Sequence, residues 1–129
     1  MSRSVLIFII IIVFNSWGCT KNEDSYNLDH PFIIMDTDPV IKVGSVDVTA
    51  KLLQRADDEI ISHGFVWYQR RFPTLDGLHF LFQGNIEGET YSHTINTESL
   101  YSDSLYYVRA YIKTPLYEIY SNTYTFRKK

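Results

Sequence analysis

The stretch from Leu100 to Lys113 constrains this chain more than any other. From Leu105 onward it alternates with period 2: Tyr106, Val108, Ala110 and Ile112 fall on one side, Tyr107, Arg109, Tyr111 and Lys113 on the other. A side-chain period of two belongs to an extended strand, and an apolar side opposed to a polar one belongs to a strand with one face buried and one wet. A chain built around such a strand must supply further strands to cover its apolar side.

The flanking segments do so. Pro31-Phe-Ile-Ile-Met35 and Val40-Ile-Lys-Val43 are short apolar runs separated by Asp36-Thr-Asp-Pro39. They read as one edge strand interrupted by a bend, because proline cannot donate to a ladder and is confined to edges and bulges. Val46, Val48, Ala50 and Leu52 alternate with Asp47, Thr49 and Lys51 in a second strand. Ile60 to Arg70 is a third, in which Trp67 shares a side with Phe65 and Ile61. Leu78–Phe82 and Glu89–Asn96 read as a pair of strands joined through Gly84–Gly88, and Tyr117–Phe126 is the last strand. No helical period is seen after residue 19, and turn signals recur roughly every 8–12 residues, so about seven short strands predict an all-β, antiparallel β-sandwich.

Composition sets the bounds. The 129 residues hold one domain of roughly 100 residues. Aromatics are 16% of the chain and ten of them are tyrosines, which suit half-buried pleated surfaces. A formal charge of −3 gives no basic footprint for nucleic acid. Cys19 is the single cysteine, so no intrachain disulfide can staple the fold.

The N-terminus accounts for that cysteine. Arg3 precedes ten unbroken apolar residues, Val5 to Phe14, about half the length that spans a bilayer. The segment reads as the core of a signal peptide. Gly18-Cys19 resembles the lipobox of bacterial lipoproteins, in which the signal is cut before a cysteine that is then acylated. Trp17 and Ser16 depart from that pattern in the manner of Bacteroidetes lipoproteins. A signal cut elsewhere, or an uncleaved anchor, remains open. Acylation of Cys19 would give a firm membrane anchor, at ~0.8 kcal/mol per buried CH₂. Loss of residues 1–18 would remove one charge, Arg3, and leave net −4. Residues 19–29 are polar and aperiodic and read as a tether. Lys21, Glu23 and Asp24 resemble the acidic signal that routes such lipoproteins to the cell surface, though an ordinary linker has the same composition.

Residues 30–127 also carry a family resemblance. Leu100 stands six residues before Tyr106, as in the tyrosine corner of immunoglobulin-like sandwiches, where the phenol hydroxyl bonds back to the preceding turn. With His63-Gly-Phe-Val-Trp-Tyr68, Pro73-Thr-Leu75, Tyr106-Tyr-Val-Arg-Ala-Tyr111, Ile119-Tyr-Ser-Asn122 and Tyr124-Thr-Phe126, the run is similar to the fibronectin type III-like domains of Bacteroidetes surface lipoproteins. Ser121 stands where those domains usually have glycine, and Leu116-Tyr-Glu118 where a glycine turn is common, so the last hairpin is expected to differ. The resemblance implies a sandwich, an envelope location, and a role as spacer, adhesive unit or accessory.

No catalytic constellation emerges. There is no Gly-x-Ser-x-Gly, phosphate loop or zinc-binding histidine pair. His30, His63, His79 and His93 are scattered; His63 and His93 fall on strands and could meet in space. Asp36-Thr-Asp38 and Asp57-Asp-Glu59 lack the length and turn glycine of a calcium loop. Neither a metal nor a cofactor is expected. Asp103-Ser104-Leu105 resembles a short O-glycosylation motif of exported Bacteroidetes proteins, which would place a glycan on Ser104.

The candidate binding face is the wet side of the organising strand. Tyr107, Arg109 and Tyr111 stand about 7 Å apart there, with Tyr68 beside them. Exposed aromatics next to an arginine can stack on a sugar or on a partner's side chain, and the same residues also suit plain cross-strand packing. The chain is therefore expected to be a non-catalytic lipoprotein of the outer membrane, at the cell surface or facing the periplasm, whose sandwich contacts a protein partner. The alternative is a glycan-binding lipoprotein of a nutrient-uptake system, in which Tyr107→Ala or Tyr111→Ala abolishes polysaccharide retention without lowering the melting temperature.

Overall fold

The computed structural model describes residues 30–57 and 59–129. The expected signal peptide, Cys19 and tether lie outside the described residues. Among the described residues nine strands form two antiparallel sheets. Sheet A holds β1 (Phe32–Ile34), β2 (Val40–Lys42), β3 (Ser45–Gln54) and β6 (Thr90–Asn96). Sheet B holds β5 (Leu78–Gln83), β4 (Ser62–Tyr68), β7 (Leu105–Lys113), β8 (Glu118–Tyr120) and β9 (Tyr124–Arg127). The two pack as an all-β sandwich of immunoglobulin-like type.

Four of the nine segments are halves of two interrupted strands, which restores the expected seven. β1 and β2 both pair with β3, at its opposite ends, with the Asp36–Pro39 bend between them. β8 pairs with the second half of β7 and β9 with the first half. The break between them carries Ser121, whose hydroxyl accepts from Ala110 N (2.8 Å) and donates to Asn122 O (2.8 Å). Asn122 then closes this side of the sandwich. Its amide oxygen accepts from Met35 N (2.9 Å) and its amide nitrogen donates to Met35 O (2.8 Å), so one side chain links the first edge strand to the last.

The core is drawn from the alternations. Val46, Val48, Ala50 and Leu52 of β3 face Tyr106, Val108, Ala110 and Ile112 of β7, with Phe65, Trp67, Ile95 and Phe126 filling the layer between. The corner at the start of β7 closes as a hydrogen bond: Tyr106 Oη accepts from Tyr101 N at 2.9 Å, its ring stacks on Phe126, and Leu100 is buried.

Two expectations need correction. Leu78–Phe82 and Glu89–Asn96 are not partners. β5 pairs with β4 and β6 with β3, so the Gly84–Gly88 connection crosses from one sheet to the other. Gly84 and Gly88 take positive φ there (86° and 73°), Ile86 is buried as a plug, and Arg55 donates to Asn85 Oδ1, Ile86 O and Gly88 O. The crossing turns Ile95 of β6 into the core, while β5 stays largely exposed at the edge of sheet B. Ile61, placed with Phe65 and Trp67, lies just before β4 and is exposed, while its two companions are in the core.

Candidate functional site

The outer face of sheet B holds all four residues of the candidate binding face, and the structure divides them. β4 and β7 lie side by side, with Tyr68 opposite Tyr107, Val66 opposite Arg109 and Gly64 opposite Tyr111. Tyr68 is exposed and Tyr107 half-buried, with the Arg70 guanidinium 5.9 Å from the Tyr68 ring centroid. Arg109 is half-buried. Tyr111 is fully buried and cannot be a contact residue.

Gly64 explains the burial of Tyr111. A Cβ on Gly64 would stand 1.9 Å from Phe80 O, so only glycine lets β4 and β5 approach this closely. The same hypothetical Cβ would lie 3.1 Å from Tyr111 Cε1, which shows the Tyr111 ring filling the ground that a side chain at 64 would occupy. Burial pushes the Tyr111 hydroxyl up to about 12, and the nearby Ser62 hydroxyl pulls the other way without reaching hydrogen-bond geometry.

The rest of the face is covered by the connection between β4 and β5, residues 69–77, which folds back over it. Pro73 is buried, and its carbonyl accepts from Arg109 Nε at 2.7 Å. Leu75 N donates to Tyr120 Oη, and Gly77 packs against the Tyr68 side chain. The Arg109 guanidinium lies 4.0 Å from the Tyr120 ring centroid and 5.8 Å from that of Phe72, so it is held between two rings. Burial lowers the Arg109 pKa; the Tyr120 hydroxyl is raised, first by burial, with the Leu75 N–H opposing.

Phe72 is the unexpected member. It takes φ 61°, a left-handed backbone that costs a bulky L-residue about 1–2 kcal/mol, and its side chain is 61% exposed. Backbone strain of this kind persists where surrounding contacts over-determine it, often at binding sites. Two clefts meet at Phe72. One of about 550 Å³ runs past Arg70, Arg71 and Asp76. The other, about 420 Å³, is lined by Arg71, Phe72, Tyr107 and Arg109 on one side and by Ser121 to Thr123 and Thr125 on the other.

The remaining candidates are placed as follows. Ser104 lies in the turn before β7, with its Oγ accepting from Gln69 Nε2 at 2.8 Å. His30 packs edge-on against Tyr117, in the turn after β7, so Ser104 and the start of the domain lie at opposite ends of that strand. His63 and His93 both face the interior and both touch the Phe82 ring. His93 is stacked between Phe80 (3.8 Å) and Trp67 (6.2 Å), and His63 Nδ1 lies 3.0 Å from Gly84 O. Burial lowers both pKa values, the Gly84 carbonyl opposing it at His63. His30 and His79 lie elsewhere, each bonded to a nearby backbone carbonyl. Among the described residues no group of three or more His, Cys, Asp or Glu is placed to hold a metal.

Arg71, Phe72 and Tyr120 were not legible as site residues. The third strand is expected to end at Arg70; Arg71 and Phe72 carry no signal of their own, and phenylalanine is among the last residues to assign a positive φ. Comparison with protein families, with curated proteins and with solved structures finds no match.

Proposed function

We propose that the chain is a lipid-anchored envelope lipoprotein, held at the outer membrane through Cys19, whose single fibronectin type III-like sandwich is a non-catalytic interaction module at the cell surface. The observation that carries this reading is the polarity of the domain. Residues 19–29 join it at His30, beside Tyr117, whereas the Arg70-Arg71-Phe72 loop leaves from Tyr68, which pairs near the opposite end of β7, and folds back as far as Arg109 at mid-strand. Nine residues of β7 separate the two ends by roughly 27 Å at ~3.3 Å per step. An anchor at one end and an exposed arginine–aromatic surface toward the other is the arrangement of a module that reaches outward for a partner. The strand order, with β1–β3–β6 facing β5–β4–β7–β8/β9, supports the fibronectin-like assignment.

The test is metabolic labelling with a fatty acid, together with protease shaving of intact cells, on wild type and Cys19→Ala. Acylated, protease-accessible wild type and unacylated, released or mislocalised Cys19→Ala are expected. An unlabelled wild type would overturn the anchor. A labelled but protected wild type would turn the module toward the periplasm. The glycan reading keeps Tyr107 and Arg109 as contact residues and loses Tyr111.

A further inference from the structure

We propose that the cleft between Arg109 and β9 is a carboxylate-binding subsite for an acidic polysaccharide, with Arg71 and Arg109 holding a uronate carboxylate and the Phe72 and Tyr107 rings bounding the sugar. This deepens the interaction-module reading and rests on it.

Arg109 is the starting point. Its guanidinium is half-buried, stacked on Tyr120 and fixed by Nε to Pro73 O. Among the described residues no carboxylate lies within ion-pair distance of it; the ion pair found is Lys42–Asp47, in sheet A. A partly desolvated cation without an acid is costly to keep, and here three contacts hold it in place regardless. The Nε–H is engaged by Pro73 O, Arg109 lines the cleft, and among the described residues no protein acceptor is bonded to its terminal nitrogens. An arginine fork presented this way matches a planar carboxylate in bidentate geometry.

The surroundings select the same chemistry. Arg71 borders the cleft as a second cation, and none of its lining residues is acidic, on a chain whose net charge is −3. The volume, about 420 Å³, falls in the range of small-ligand sites. Opposite the arginines the cleft is lined by Ser121, Asn122, Thr123 and Thr125, the two threonines adding hydroxyl-bearing side chains. Scattered hydroxyls and flat rings suit a saccharide, whose hydroxyls are scattered and whose CH face is flat. Phe72 is held at φ 61° with its ring over Arg109, a conformation that gains nothing for the core.

The experiment is affinity electrophoresis and calorimetry of the full chain in detergent, with three probes: polygalacturonate, its fully methyl-esterified form, and poly-glutamate. Arg71→Glu is the variant, because Arg71 is exposed and outside the core; an unchanged melting temperature verifies its fold. Retention by polygalacturonate, lost on esterification and weakened at least about tenfold in Arg71→Glu, is expected from removal of a charge-assisted hydrogen bond. No retention of the wild type, or retention indifferent to Arg71→Glu, would overturn the subsite. Equal or tighter binding of poly-glutamate would overturn the polysaccharide assignment in favour of an acidic peptide. Acylation of Cys19 is read separately, so failure of the subsite and failure of the anchored-module reading are distinguishable.

Discussion

The two sides of β7 obey different rules. On the inner side, Tyr106, Val108, Ala110 and Ile112 are all buried, and each meets the opposite sheet as period 2 requires. On the outer side the same period sets Tyr107, Arg109, Tyr111 and Lys113 in a row, yet their fates diverge: Tyr107 and Arg109 are half-buried, Tyr111 is fully buried and Lys113 is exposed. An inner residue is fixed by the sheet it faces. An outer residue is fixed by whatever chain happens to return across it. Here that is the 69–77 connection, which covers Arg109 through Pro73 and Tyr120 through Leu75.

The largest effect should come from the inner side. Trp67 is packed in the core against the stacked His93, and Trp67→Ala should cost ~3–5 kcal/mol in denaturant unfolding. A cost under about 1 kcal/mol would place the ring outside the core and break the comparison. A smaller loss should follow Tyr106→Phe, which keeps the ring on Phe126 and removes only the hydroxyl that accepts from Tyr101 N. About 1–2 kcal/mol is expected, since the Tyr101 amide loses its acceptor in a part-buried turn. Urea titration of the purified variant measures it, and no change would mean water replaces the hydroxyl.

The smallest effect is one of slope. His63 and His93 are both held below their ordinary pKa, so the native state binds fewer protons than the unfolded chain as pH falls below about 6.5. Their contribution is intact above the unfolded value and is lost on acidification. Melting temperatures taken from about pH 7.5 to 5 should fall more steeply for wild type than for His93→Gln. Equal slopes would show that His93 titrates normally between Phe80 and Trp67.

The legibility of the molecule follows the same division. The alternations of β3 and β7, the split first strand and the Leu100–Tyr106 corner are local patterns, and each forms where the residues place it. The crossing of β5 and β6 into different sheets was not legible, because Gly84–Gly88 reads equally well as a hairpin turn; Arg55 and Ile86, which fix the crossing, act from a distance. The candidate site was half legible. Tyr107 and Arg109 border the cleft, but Phe72 and Tyr120, which hold the guanidinium, come from the loop before β5 and from β8. Gly64 in mid-strand was the one available sign that a neighbour lies close, although no sequence pattern names Tyr111 as the residue across from it.

The claim that one outer face holds both a sealed and an open half is tested most directly by the melting temperatures of Tyr111→Ala and Tyr107→Ala, side by side. Tyr111→Ala should lose about 3 kcal/mol or more, as other buried aromatics do, and so melt roughly 12–24 °C lower. Tyr107→Ala should lose much less, because its ring is half in water. A Tyr111→Ala protein that melts with the wild type would contradict the account and return Tyr111 to the open surface.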